Sequence, residues 1–218
     1  MKTGILKAVT SSIIFLILQL QSSYGDIAPS TDPFQGKKSN DRLKVVSTTS
    51  LIGNIVEKIG GEKVQVVIIV PGGQCPGHFD IRPGDVKVLE EARLLLEHGI
   101  EGELFIEDML NLVENKNLHR MTLNENGNWM IPEIQLQAVD KIVDVLCRIK
   151  PECENIFREN AGDYKRAVKN LARDIRLKAK ELKVGKVTVA SSEMQSEFVD
   201  WLGFNIAVIY GRPDNFNP

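Results

Sequence analysis

The residues best suited to chemistry lie in one loop, PGGQCPGHFDIRPGDV, Pro71 to Val86. It offers a thiol, an imidazole and a carboxylate at Cys75, His78 and Asp80. Cys75 and His78 stand three apart, a spacing found among zinc ligands, although one such pair is half of a site. The Gly-rich run lacks the Lys-Ser/Thr ending of a phosphate loop, which argues against ATP. Two further groups stand at the ends of expected strands, His98 before Gly99 and Glu193 after Ser191-Ser192, and His119 stands at the end of an expected helix. Ser191 or Ser192 with His78 and Asp85 would be the components of a hydrolase. No nucleophile elbow and no second oriented base accompany them, so the chain does not read as an enzyme.

Two α/β segments are expected to position these groups. Leu43 to Ser47 reads as a strand, Leu51 to Ile59 as a helix ended by Gly60-Gly61, and Val64 to Val70 as a buried β-branched strand. That is a βαβ unit with parallel strands, and ligands bind beyond the carboxyl ends of such strands. The loop with His78 leaves from that end. Arg93 to Glu97 is a further short strand, which places His98 on the same side. Pro83 opens a helix, and Leu104 to Leu118 reads as another, with His119 as its C-cap. Trp129-Met130-Ile131-Pro132 leads into a helix that runs to Lys150. Cys147 and Cys153 flank Pro151 and are either a disulfide or two buried thiols.

The longest element is expected between Glu152 and Lys183. Phe157, Ala161, Tyr164, Val168, Leu171, Ile175, Ala179 and Leu182 make one apolar stripe at helical spacing. Such a helix runs roughly 45 Å and reads as a strut, its stripe buried against the α/β segments on both sides. The second segment begins with the strand Lys186 to Ala190. A helix around Phe198 and Trp201 follows, and then a strand from Phe204 to Tyr210. The expected organisation is a signal peptide over 1–25, a flexible linker over 26–42, an α/β domain over 43–150, the long helix over 151–184 and a partial α/β domain over 185–218. Lys2, Lys7, the apolar run SSIIFLILQL and Ser23-Tyr24-Gly25 carry the signal-peptide reading, with an uncleaved membrane anchor as the alternative. The chain has 218 residues and a formal net charge of -2, few aromatics and no long basic tract, which excludes nucleic acid as a partner.

In this order the pieces resemble the zinc- and manganese-binding solute receptors of ATP-binding-cassette importers. The likeness is carried by VVSTTSLIGNIVEKIGGEKVQVVIIVPGG, GHFDIRPGDV, LLLEHGIEGE, the Trp129 to Pro132 segment and EFVDWLGF. It implies two parallel-sheet α/β domains on one backbone helix, the second incomplete here. It also implies an exported protein, periplasmic, extracellular or on the outer face of the cytoplasmic membrane, a membrane permease as partner, and zinc or manganese as transported ligand rather than catalytic cofactor. The family's first histidine ligand sits in Pro-His-x-x-x-x-P-x-D; His78, Pro83 and Asp85 match, with Gly77 in place of Pro. The second belongs to His-Pro-Trp-x-x-Pro; Trp129 and Pro132 match, and Gly127 stands at the histidine. The third position holds Ser192, followed by Glu193, and the fourth falls in a late part of the second domain that this sequence lacks. The candidate metal ligands are therefore His78 first, then His98, Glu193 and Cys75. The resemblance implies a receptor with a degenerate site, or an exported relic or structural module without metal.

Overall fold

A computed structural model describes residues 41–74, 80–99 and 105–211 of the chain. The expected signal peptide and the loop with Cys75 and His78 lie outside the described residues.

Four parallel strands form the first sheet. These are β1 (Leu43–Thr49), β2 (Val64–Val70), β3 (Leu94–Glu97) and β4 (His119–Thr122), in the order β2-β1-β3-β4. Parallel strands need crossovers. Helix α1 (Ser50–Gly60) supplies the first, and α2 (Pro83–Glu91) lies on the second. Pro83 opens α2, and the Asp85 carboxylate accepts from the Arg82 N–H at 2.9 Å, satisfying one of the donors a helix start leaves unpaired. The register Val45↔Val66 and Val46↔Leu95 places β1 at the centre of the sheet. Ile52, Ile55, Ile59, Leu94, Leu96 and Ile142 are fully buried around it. Helix α4 (Pro132–Ile149) closes this core with Ala138, Val139, Ile142 and Leu146.

The segment 104–118 departs from the expected long helix. Helix α3 is only Phe105–Leu110, and His119 opens a strand instead of capping a helix. Asn115 explains the early end. Its side-chain amide donates to the carbonyls of Leu89 and Ala92 at the end of α2, and its Oδ1 accepts from the Asn117 N–H. These bonds turn the chain. Beyond them, Arg120 on β4 reaches the buried Glu97 of β3 with two nitrogens, at 2.6 and 3.1 Å, and Thr122 donates to the same carboxylate at 2.6 Å. Hydrogen bonds from Arg120 to Glu97 and Glu107 hold the guanidinium above its ordinary pKa.

Helix α5 (Glu154–Glu181) is the long element. Its first half meets the expectation: Phe157 and Ala161 are buried in the core beside α1 and α4, and Asn160 donates to the Ile59 carbonyl at 2.9 Å. Its second half does not, because Leu171 and Leu182 are 61% and 63% exposed. Burial returns at Ala179, while Arg176 reaches forward to lie over the Trp201 ring, 4.5 Å from its centroid. The stripe is thus packed at its amino end, bare at Leu171 and Leu182, and covered again only at Ala179 between them. Cys147 and Cys153 are free buried thiols, and burial pushes the Cys147 thiol up.

The remaining elements are β5 (Thr188–Ser192), α6 (Glu193–Trp201) and β6 (Asn205–Tyr210). β5 and β6 pair in parallel as a two-stranded sheet with a register shift at Val189/Ala190. Among the described residues β6 pairs on one side only, and Val208 and Ile209 are 58% and 57% exposed. No helix among the described residues is long and apolar enough to cross a membrane.

Candidate metal centre

The strand order fixes where a ligand would bind. The chain passes from β1 to β2 on one side and then crosses to β3 on the other, so the order reverses between β1 and β3. The crevice outside the carboxyl ends at such a reversal is the usual site in open α/β sheets. Thr49 ends β1 there and His98 follows β3. The Thr49 hydroxyl and His98 Nε2 share a hydrogen bond of 2.7 Å, and which one donates follows the imidazole tautomer. Thr49 makes no side-chain bond to the start of α1, so its hydroxyl serves the imidazole and not the helix.

His98 is 7% exposed. The Trp129 ring meets it edge-on, with centroids 4.3 Å apart and planes at 77°. Its carbonyl accepts from the Asn124 N–H at 3.1 Å. Gly99 then turns away with φ +81°, and a Cβ there would fall 2.4 Å from Asn124 Oδ1 and from Thr122 Cγ2. A larger residue would push β3 and β4 apart beneath the imidazole. His98 is therefore held by Thr49, Trp129 and Asn124. To ligate a metal through Nε2 it would give up the bond to Thr49, worth about 1 kcal/mol.

Of the other candidates, Cys75 and His78 lie outside the described residues, in the loop that begins after β2. Glu193 is the exposed first residue of α6. Ser192 precedes it as the N-cap, in extended backbone. His119 sits at the amino end of β4, the edge of the sheet away from the crevice. Asp85 serves the start of α2. No group of three His, Cys, Asp or Glu side chains able to hold an ion occurs among the described residues. A groove of about 580 Å³ between α6 and β6 is lined by Glu197 and Asp200 but by neither His98 nor Glu193.

Two residues at the crevice were not singled out from sequence. Thr49 reads there as part of a helix cap; its place at the end of the central strand was the available signal. Glu197 is the other: its Oε2 accepts from the Asn128 N–H at 2.6 Å. Nothing local in sequence marks that contact, which joins residues far apart in the chain.

The ZnuA family, described as zinc-uptake complex component A, periplasmic, matches residues 45–217. The manganese-binding lipoprotein MntA of Bacillus subtilis is 26% identical over 193 residues, covering 81% of this chain and 63% of its own. The manganese ABC transporter substrate-binding lipoprotein PsaA of Streptococcus pneumoniae is 26% identical over 179 residues, 72% of this chain and 58% of its own. The chain thus spans about three fifths of these curated relatives. Among solved structures, the Mn-bound periplasmic metal binding protein of Candidatus Liberibacter asiaticus superposes with a TM-score of 0.69 at 18% identity, over 81% of this chain and 72% of that one. The Zn(II)-bound ZnuA-like domain of Streptococcus pneumoniae AdcA gives 0.64 at 14% identity, over 78% and 67%. At these identities the structures speak for the fold. The family match runs from the start of β1 to beyond β6, and the chain belongs to the ZnuA family of periplasmic zinc-uptake components.

Proposed function

We propose that the protein is an extracytoplasmic solute-binding component of an ATP-binding-cassette importer, with zinc or manganese as its cargo and a membrane permease as its partner. The family match over residues 45–217 carries this reading. The relatives' names, which specify manganese binding and transporter substrate binding, agree with it. His78 is the leading ligand, because it follows β2 at the carboxyl edge of the sheet and matches the family loop at Pro83 and Asp85. His98 and Glu193 are the substitutes that follow β3 and β5, and Cys75 is the nearest thiol. The domain organisation proposed with it is a first α/β domain over 43–150, the connecting helix over 151–184 and a partial second domain over 185–218, preceded by an export segment over 1–25 and a linker.

Gly127 favours a second reading, an exported module that no longer carries metal. It stands where the family has a histidine, with φ +108°, and the space a side chain would take there is bounded by Ile134 and by Glu197. Isothermal titration of metal-stripped protein with zinc and with manganese separates the two. A receptor gives one saturable site, lost in His78→Ala and weakened in His98→Ala and Glu193→Ala. Its affinity falls with acid pH as imidazole protonates. Absence of saturable binding, or binding indifferent to His78→Ala, favours the module.

A further inference from the structure

Helix α6 and the segment from Gly127 to Glu133 touch across the crevice through several groups. The Asn128 backbone N–H donates to Glu197 Oε2 at 2.6 Å, and its side-chain amide donates to the Met194 carbonyl at 2.7 Å. At the far end of α6, Trp201 Nε1 donates to Glu133 Oε2 at 3.1 Å. The helix is thus tied near its start, at its middle and at its last residue. Trp201 is itself held by Arg176 over its ring and by Phe198 stacked beside it.

The fit at Gly127 gives these bonds a meaning beyond packing. A Cβ on residue 127 would lie 3.1 Å from Ile134 Cδ1 and 3.3 Å from Glu197 Oε2, and φ there is +108°. The Glu197 carboxylate and a side chain at 127 would compete for one space. Glycine leaves that space open and also tolerates the left-handed backbone that aims the Asn128 N–H at the carboxylate. A carboxylate accepting from a backbone N–H is among the stronger hydrogen bonds a protein makes.

We propose that α6 and the 127–133 segment form a latch, keyed by Glu197 against Gly127, that closes the two sheets onto each other without a metal ion. A long side chain at 127 presses on Ile134 and Glu197 and strains a backbone at φ +108°, and so works against the closed latch. A chain with glycine here therefore keeps its closed form through its own hydrogen bonds. The proposal stands apart from whether metal binds, because the latch uses none of His78, His98 or Glu193.

Hydrogen exchange on metal-free full-length protein tests it, with the Asn128 amide and the α6 amides as readout and β1 as internal reference. Glu197→Ala should speed exchange at Asn128 by roughly tenfold or more and leave β1 protected. Gly127→His should do the same, since it needs the space Glu197 fills. Glu197→Gln, which keeps an acceptor, should retain most of the protection, and Asp200→Ala should change nothing. Adding or chelating zinc should leave Asn128 protection in the parent unchanged. Unaltered Asn128 exchange in Glu197→Ala would overturn the latch. So would equal loss of protection in β1, which would make the contact part of global folding. Asn128 protection that disappears on chelation would overturn the claim that closure needs no ion.

Discussion

Thr49 and His98 show how much can rest on one hydroxyl. Thr49→Val keeps the shape of the side chain and leaves Nε2 without that partner in a site of 7% exposure. Unfolding in urea should show a loss of about 1–3 kcal/mol. If His98 ligates through Nε2, the same variant should bind zinc more tightly, because coordination no longer competes with the hydroxyl. A looser or unchanged affinity would take His98 out of the ligand set. Lys150 is a second residue whose effect can be isolated. It is 7% exposed and donates to both the carbonyl and the carboxylate of Asp41, where the chain enters the first sheet. The bond lowers the Asp41 pKa and raises that of Lys150. A depressed carboxylate contributes stability above its ordinary pKa and loses it as pH falls through the folded value. A raised lysine contributes below its ordinary pKa and loses it as pH climbs through the folded value. The stability difference between the parent and Lys150→Met should therefore be flat from mildly acidic to mildly alkaline pH and shrink at both extremes. Urea melts across pH measure it, and a difference that stays constant into strong acid would remove Asp41 from the pair.

Among the elements, α5 separates pattern from packing. The stripe from Phe157 to Leu182 was legible because apolar spacing of three and four is a helix property. Which part of the stripe is covered was not legible, since cover depends on where other elements end. Phe157 lies under α1 and α4, whereas the contact near the last turns is Arg176 over the Trp201 ring of α6. Phe157→Ala should cost about 3–5 kcal/mol and Leu171→Asp less than about 0.5, measured by the same urea melts. A large loss at Leu171 would mean that the middle of the helix is covered in solution. The bounds of β2 could be read residue for residue from the mostly β-branched run VQVVIIV, though not its burial: β2 ends the described sheet, and Gln65, Val66, Val67 and Ile68 are only half-buried. β4 could not: HRMT carries His and Arg, and its extended form rests on Glu97, a partner in another strand. The site divides in the same way. His98 could be placed at a strand end from sequence, but its burial depends on Thr49 and Trp129, which arrive from distant segments.

At the scale of the whole molecule, the two sheets are unequally finished. The four-stranded sheet has helices packed on it, while β6 offers one unpaired edge with Val208, Ile209 and Tyr210 largely exposed. The strand NIAVIY has neither charge nor proline to discourage pairing. The chain as given should self-associate with rising concentration, and Ile209→Lys should reduce this in sedimentation velocity. Equal association in that variant would place the contact elsewhere. The chain has two tryptophans, Trp129 within the 127–133 segment and Trp201 bonded to that segment's last residue. Trp129 lies against His98, and Trp201 is bonded to Glu133 beneath Arg176. The protein therefore carries its own optical gauge. Ultraviolet emission from an unlabelled sample is mainly a view of the 127–133 segment and what it touches. With Trp201→Phe the light comes from the histidine side, and with Trp129→Phe from the α6 side, so each side of that segment can be watched alone.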